Sequence, residues 1–354
     1  MPSTDDLSAL DTHLAAVLAR RITLLAEPGA PPIDDQLDAS APEPALPAGL
    51  WRAVLTHPTA AAHARRTPPS TPEPRRITIV GGNGAMARLL AATLGRHRHA
   101  VTPLDADDWS RAPTLLGDAD LALIAVPIHE TERAIRNAAP HLRPDALLAD
   151  ITSIKAAPVR AMLDAHRGPV LGLHPMFGPH VSSLLAQRII ACPARHPDAA
   201  AWLLDAFRAD GATIIQSVPD EHDRMMVAVQ AIRHFTTFAL GVFLADHAVD
   251  VPRSLEFASP IYRLEIDIVS RLFAQSPDLY LSIMSATGER TAAITDLAHT
   301  VSTLARALAE ADHDALRDAF TRTARRLGPE APRALAETTL AVEALSAALA
   351  ARTP

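Results

Sequence analysis

The stretch Ile77-Thr78-Ile79-Val80-Gly81-Gly82-Asn83-Gly84-Ala85-Met86-Ala87 decides the fold. Four β-favouring residues run straight into glycines, and an apolar helical spacing (Met86, Leu89, Leu90, Leu94) follows at once. β-branched residues suit a pleated strand, whereas positions three and four apart share one face of a helix. Residues Gly82 to Ala87 match G-x-G-x-x-A, with Gly81 in front. Between a strand and a helix, this pattern lets the backbone approach a pyrophosphate and aims a helix N-terminus at it. Cofactor contacts are expected from Gly81, Gly82, Asn83, Gly84, Ala85 and Met86. About twenty residues on, Asp105 closes a second strand, where a carboxylate can bond a ribose 2′-hydroxyl and repel a 2′-phosphate. NAD is the expected cofactor, and Arg111 nearby keeps NADP as the alternative.

Working outward, further strands are expected over 121–126, 146–149, 169–172, 188–192 and 212–216, with helical segments between most of them. Such alternation predicts an α/β fold, a Rossmann-like doubly wound parallel sheet. Val126, Pro127 and Ile128 would line its nicotinamide side, and His129 after them suits a solvated loop equally well. From about residue 221 the pattern is helical to the last residue, so an all-helical substrate and dimerisation domain is expected over 219–354. Upstream, Leu7, Leu10, Leu14, Val17, Leu18, Ile22 and Leu25 mark one helix over 5–27. Prolines then crowd residues 28–74 and break any helix there. Residues 1–74 thus read as a short helical extension with a linker, and 75–218 as the nucleotide-binding domain.

Composition narrows the function. The 354 residues carry a net charge of −7 and hold no basic block, which argues against a nucleic-acid surface. One cysteine, Cys192, excludes an intramolecular disulfide and a thiolate metal cluster. No run of 18 apolar residues occurs, and acidic Asp5 and Asp6 near the start are unlike a signal peptide. A cytoplasmic protein acting on a small molecule, without metal or membrane, is expected.

Gly172-Leu173-His174-Pro175-Met176-Phe177-Gly178-Pro179 then supplies chemistry. Histidine titrates near neutrality and can accept a substrate proton. Flanking prolines pin the backbone and the glycines allow a ligand close. A rigidly placed base downstream of a dinucleotide fold reads as a dehydrogenase.

Several segments, in one order from about residue 75 to 330, resemble the prephenate dehydrogenase family. They resemble most the dehydrogenase part of the enteric bifunctional chorismate mutase–prephenate dehydrogenases, the T-proteins. The segments are Ile79-Val80-Gly81-Gly82, Val126-Pro127-Ile128-His129, Asp150-Ile151-Thr152-Ser153-Ile154-Lys155 and Gly172 to Pro179. Glu221-His222-Asp223, Gln230-Ala231-Ile232-Arg233-His234-Phe235, Ser259-Pro260-Ile261-Tyr262-Arg263-Leu264-Glu265 and Arg271-Leu272-Phe273-Ala274-Gln275 complete them. The resemblance implies NAD-dependent oxidative decarboxylation of a cyclohexadiene bearing two carboxylates. Hydride leaves ring C4, carbon dioxide leaves C1, and aromatisation drives the step.

The same resemblance makes His174 the base on the C4 substituent and Ser153 its partner. Ser153 could instead cap the helix that follows Asp150. Arg271 would grip a substrate carboxylate, a task for a planar two-pronged donor; otherwise it pairs with Asp267 one helical turn back. His234, Arg263, Gln275 and Tyr280 would line the substrate pocket, with Lys155 and His222 behind it. A homodimer through the helical domain is implied.

Two departures bear on the substrate. Residues 5–27 look like the first mutase helix, with Arg21 in place of one substrate-binding cation. Thr4 stands where another is expected, and Glu27-Pro28-Gly29-Ala30-Pro31-Pro32 replaces the lysine-bearing continuation. Two carboxylates cannot be desolvated without paired cations, so the mutase is expected to be dead. His180-Val181-Ser182-Ser183 follows the shared Gly178-Pro179 with a different loop, and His180 joins the expected pocket. A dead mutase fused to such a dehydrogenase resembles the enzymes that act on 4-amino-4-deoxyprephenate in antibiotic biosynthesis. That substrate is the leading expectation, with prephenate, in tyrosine biosynthesis, as the alternative. A non-catalytic regulatory protein of the same fold is the competing class.

Overall fold

The computed structural model describes residues 4–27, 54 and 73–351. They divide into two compact units, residues 1–224 and 225–354. The proline-rich stretch lies almost wholly outside the described residues.

The first unit opens with helix α1 (Thr4–Ala26), close to the expected bounds. Then follow β1 (Arg76–Val80), α2 (Ala85–Arg96), β2 (Ala100–Leu104), α3 (Ala112–Gly117), β3 (Leu121–Ile124) and α4 (Thr131–Ala138). After them come β4 (Leu147–Asp150), α5 (Ala156–Ala165), β5 (Val170–Pro175), β6 (Arg188–Arg195), α6 (Ala201–Ala209), β7 (Thr213–Gln216) and α7 (Pro219–Met226). The seven strands form one sheet in the order β2-β1-β3-β4-β5-β6-β7.

Alternation along the strands builds a core on each face. Ile77, Ile79, Leu121, Leu123, Leu171 and Leu173 pack with Leu90 and Leu94 of α2 and Phe207 of α6. Val80, Ile124, Leu148 and Val170 pack on the other face with Ile135 of α4 and Met162 of α5. The doubly wound expectation is met, with one reversal. β5 and β6 pair antiparallel, while all other neighbours are parallel. Residues 176–187 between them hold no helix. A parallel return needs a crossover of a dozen or more residues, usually helical, so the chain comes back beside its own strand.

The expected strand over 169–172 also runs further, to Pro175, and this corrects the origin of the rigidity at His174. His174 is a buried strand residue paired with Ile190, not a residue pinned in a loop by its prolines. Gly172 likewise serves packing. A Cβ there would meet Val159 at 2.7 Å and Lys155 at 3.0 Å, so the glycine admits α5 and its preceding lysine against the strand.

The second unit is helical, as expected: α8 (Arg233–Asp246), α9 (Val251–Glu256), α10 (Pro260–Phe273), α11 (Pro277–Met284), α12 (Gly288–Ala309), α13 (His313–Leu327) and α14 (Ala331–Ala350). Ser259 and Thr287 cap α10 and α12 through their side chains. Ahead of α8, Val227–Ile232 winds as a π-helix, a form that recurs at functional sites. The helical run Pro219–Asp246 is long and apolar enough to cross a bilayer by length and composition alone.

Candidate active site

The glycine turn after β1 has the geometry its sequence promised. Gly81 sits at φ +82°, and a Cβ there would lie 2.6 Å from the Ala125 carbonyl oxygen. A Cβ on Gly82 would meet Pro103 at 2.5 Å, and one on Gly84 would lie 3.2 Å from the Gly81 oxygen. Only glycine fits the first two positions without backbone movement. Ala85 and Met86 begin α2, whose N-cap Gly84 offers no side-chain cap, so the first helical amides are left to a ligand or solvent. This cradle fits a dinucleotide pyrophosphate.

Asp105 follows β2, and its carboxylate accepts from the Asn83 amide at 3.2 Å, tying the glycine turn to the strand that would face the ribose. Arg111 is paired with Asp108 at 3.6 Å. Val126, Pro127 and Ile128 follow β3, with Ile128 opening a short 3₁₀ turn. His129, two-thirds exposed, lies beside Glu130.

A second cluster gathers around His174. Its Nδ1 lies 2.7 Å from Nε2 of His222, and His222 Nδ1 lies 2.8 Å from Asp223 Oδ1. Asp223 also accepts from the Lys155 amide at 2.7 Å and the Ala156 amide at 2.9 Å. Burial alone would push the Asp223 carboxyl up, but the His222 hydrogen bond and these two amides hold it below the ordinary value. Lys155, fully buried, donates from Nζ to Asp150 and, at 2.7 Å, to the Leu173 carbonyl, one residue before His174. Burial pushes the Lys155 ammonium down, and the Asp150 carboxylate opposes it. Cys192, on β6, is pushed up to about 11, chiefly by burial, and is inert as a nucleophile.

Ser153 lies half-buried in the loop between β4 and α5. It does not cap α5: the N-cap is Lys155 without a side-chain bond, and Asp223 satisfies the first amides instead. His180 is exposed in the loop after β5.

The helical unit holds its own cluster. His234 meets the Tyr280 ring edge-on with centroids 5.0 Å apart. Gln275 donates to the Tyr280 hydroxyl at 2.9 Å and to the Arg271 carbonyl at 3.0 Å. His234 is pushed down to about 4, first by burial and then by Arg233 and Arg290. Arg233 donates to its Nδ1 at 3.2 Å, consistent with a neutral ring. Arg271 is exposed near the end of α10 and, among the described residues, forms no ion pair with Asp267. Arg263 lies half-buried on the same helix.

Three participants escaped the sequence reading. Asp223 was visible only as the neighbour of His222, and Asp150 only as the end of a strand. Arg290 reads as an ordinary polar residue in the first turn of a helix, yet it is fully buried and donates to the Ile283 carbonyl at 2.7 Å. A composition signal did exist for Lys155. It is the sole lysine of the chain, against 32 arginines.

The family model described as "Prephenate dehydrogenase, nucleotide-binding domain" matches residues 96–215. Its companion, "Prephenate dehydrogenase, dimerization domain", matches residues 218–322. A T-protein of Enterobacter agglomerans is 37% identical over 352 residues, covering 94% of each chain. A 4-amino-4-deoxyprephenate dehydrogenase of Streptomyces pristinaespiralis is 28% identical over 257 residues, 68% of this chain and 86% of that one. Among solved structures, prephenate dehydrogenase from A. aeolicus, in complex with hydroxyphenyl propionate and NAD+, superposes with a TM-score of 0.57. It is 16% identical and covers 71% of this chain and 96% of that one, a likeness of fold.

Proposed function

The chain belongs to the prephenate dehydrogenase family, and we propose that within it the substrate is prephenate, converted to 4-hydroxyphenylpyruvate. The carrying observation is the T-protein similarity, which runs at 37% identity through nearly all of both chains. It reverses the order of the two substrates expected from the dead mutase and the altered loop. The amino-substrate relative is both more distant and matched over less of this chain.

The protein is an NAD-dependent oxidoreductase of the prephenate dehydrogenase type. Bound at the glycine turn, NAD supplies the hydride acceptor. Gly81, Gly82 and Gly84 admit it, the amides of Ala85 and Met86 face its phosphates, the Asn83 amide ties the turn to Asp105, and Asp105 faces its ribose. Val126, Pro127 and Ile128 wall the nicotinamide. His174 takes the proton from the C4 hydroxyl as hydride leaves C4 and carbon dioxide leaves C1. With Nδ1 committed to His222, the nitrogen that serves the substrate is Nε2. Ser153 steadies the same hydroxyl. Arg271 holds a carboxylate, and His234, Arg263, Gln275 and Tyr280 are the further residues proposed to contact the substrate. The helical unit pairs with a second copy through the surface its family model names a dimerization domain.

The amino reading keeps one observation in its favour, the loop His180-Val181-Ser182-Ser183 directly after the shared motif. A neutral imidazole accepts from an amine as from a hydroxyl, so discrimination falls to neighbours of His174. Measuring kcat/KM on prephenate and on its 4-amino analogue side by side decides. We expect prephenate to be preferred at least tenfold, about 1.4 kcal/mol of transition-state preference. A tenfold preference for the amine would install the other substrate.

A further inference from the structure

We propose that His222 and Asp223 form a relay behind His174 that fixes its tautomer, with Nδ1 protonated and Nε2 basic, and shares the charge that arrives during turnover. This rests on His174 being the base, as proposed above. The geometry supplies a continuous chain: His174 Nδ1 to His222 Nε2 at 2.7 Å, and His222 Nδ1 to Asp223 Oδ1 at 2.8 Å. The His222 side chain is fully buried and that of Asp223 is 14% exposed. Direction follows from what each atom can do. An ionised carboxylate only accepts, so His222 Nδ1 must donate to it. A neutral His222 then has an acceptor at Nε2, and His174 Nδ1 must donate there. The lone pair of His174 is thereby placed on Nε2.

During turnover the substrate O–H bond breaks as the Nε2–H bond forms, while the hydride electron pair leaves C4 for the cofactor. The Nδ1 proton of His174 can then shift to Nε2 of His222, carrying the positive charge to the carboxylate of Asp223. No electron moves along the relay, and reversal through Nε2 returns the proton to solvent. The charged groups around it are Asp223 and Glu221 on α7, Asp150 at the end of β4 and Lys155 before α5, with the neutral thiol of Cys192 on β6 beside them. Lys155 braces the arrangement from two sides, with its amide on Asp223 and its Nζ on the Leu173 carbonyl. Retention of one lysine among 33 basic residues, at this buried point, fits a compact ammonium where the broad fork of arginine would not pack. His222 and Asp223 are positioning residues, since neither is assigned a contact with substrate.

The test combines spectroscopy with kinetics on the full chain. In ¹⁵N-histidine-labelled protein, ring-nitrogen signals assigned by loss in His174→Asn and His222→Asn should show both histidines as Nδ1–H tautomers. Asp223→Asn should lower kcat about a hundredfold or more, with KM within about threefold. Losing the carboxylate disfavours imidazolium at His174, so the acidic limb of the kcat/KM profile should move to lower pH. If Asp223→Asn fails to fold, His222→Gln and the wild-type spectrum carry the same decision. Finding His174 as the Nε2–H tautomer, or an unmoved pH profile in a folded variant, overturns the relay. A wild type inactive on prephenate and on its 4-amino analogue would sink the functional reading instead, and leave the tautomer measurement standing.

Discussion

The sheet unit and the helical unit solve the burial problem differently. The strands of the first bury apolar side chains on both faces, and its reactive groups sit inside that closed frame, with Lys155 and Asp150 wholly buried. The second leaves large apolar side chains in water when taken as one copy. Phe257 is 76% exposed and Phe320 77%, and no residue of α8 is buried. Large apolar side chains left in water mark surfaces that associate, which suits the dimerization domain of the family model. The contrast extends to chemistry: the sheet unit holds the hydrogen-bonded His174, proposed above as the base, and the helical unit presents an exposed cation, Arg271.

If that division is real, the two units should fail differently when cut. His174→Asn removes the proposed base and should lower kcat by about 10³-fold or more, while NAD affinity stays within about twofold. A variant that keeps more than about a tenth of wild-type kcat would remove His174 from its assigned role. Arg271→Ala should act mainly on KM, because a carboxylate grip is shared by ground and transition states. Losing a charge-assisted contact costs about 2–3 kcal/mol, so KM should rise roughly 30- to 160-fold with kcat little changed. An unchanged KM would transfer the carboxylate to Arg263.

How much of this was legible in the sequence differs between the units for a physical reason. The glycine turn was readable because its steric demands are local: Gly81 and Gly82 face backbone or a neighbouring strand within 3 Å. Strand alternation and the β1–α2 junction were readable for the same reason. The antiparallel return of β6 was missed because it depends on what a loop lacks. The His174–His222–Asp223 chain spans 48 residues between its first two members, and only the fold brings them together. The resemblance named His174 and His222, but Asp223 and the direction of the hydrogen bonds came from the geometry. Arg290 left no mark in the pattern, since a buried and an exposed arginine look alike in a helical period.

A smaller effect sharpens the same comparison through pH. His234 is held down at about 4 by burial and by Arg233 and Arg290, against an ordinary 6.5. Its folded pKa is depressed, so the unfolded chain binds the proton first as pH falls. Stability from this residue is present above about 6.5 and is lost progressively toward pH 4. The melting temperature should therefore drop across that window, and less steeply in His234→Gln. Identical slopes would mean that His234 is charged or exposed in solution. In the wild type and in His234→Gln alike, the acidic limb of activity, assigned above to His174, should stay where it is.

The smallest effect is expected at the N-terminal extension. Helix α1 keeps its apolar stripe in water, with Leu7 56% and Leu10 64% exposed, and of that stripe only Leu25 is buried. At about 25 cal/mol per Å², one buried leucine contributes only about 1.5–3 kcal/mol, too little to make the sheet unit depend on the helix. Nor do the residues support a second activity. A dianionic substrate needs several cations, and this segment retains Arg21 while Thr4 and the proline run replace the others. Deleting residues 1–73 should leave dehydrogenase kcat/KM within about twofold, and the intact protein should convert no chorismate to prephenate. Detectable mutase turnover would show that cations elsewhere complete the site. Loss of folding on truncation would show that the stripe of α1 is covered in the assembled dimer, and that the extension belongs to the open, partner-dependent part of the molecule.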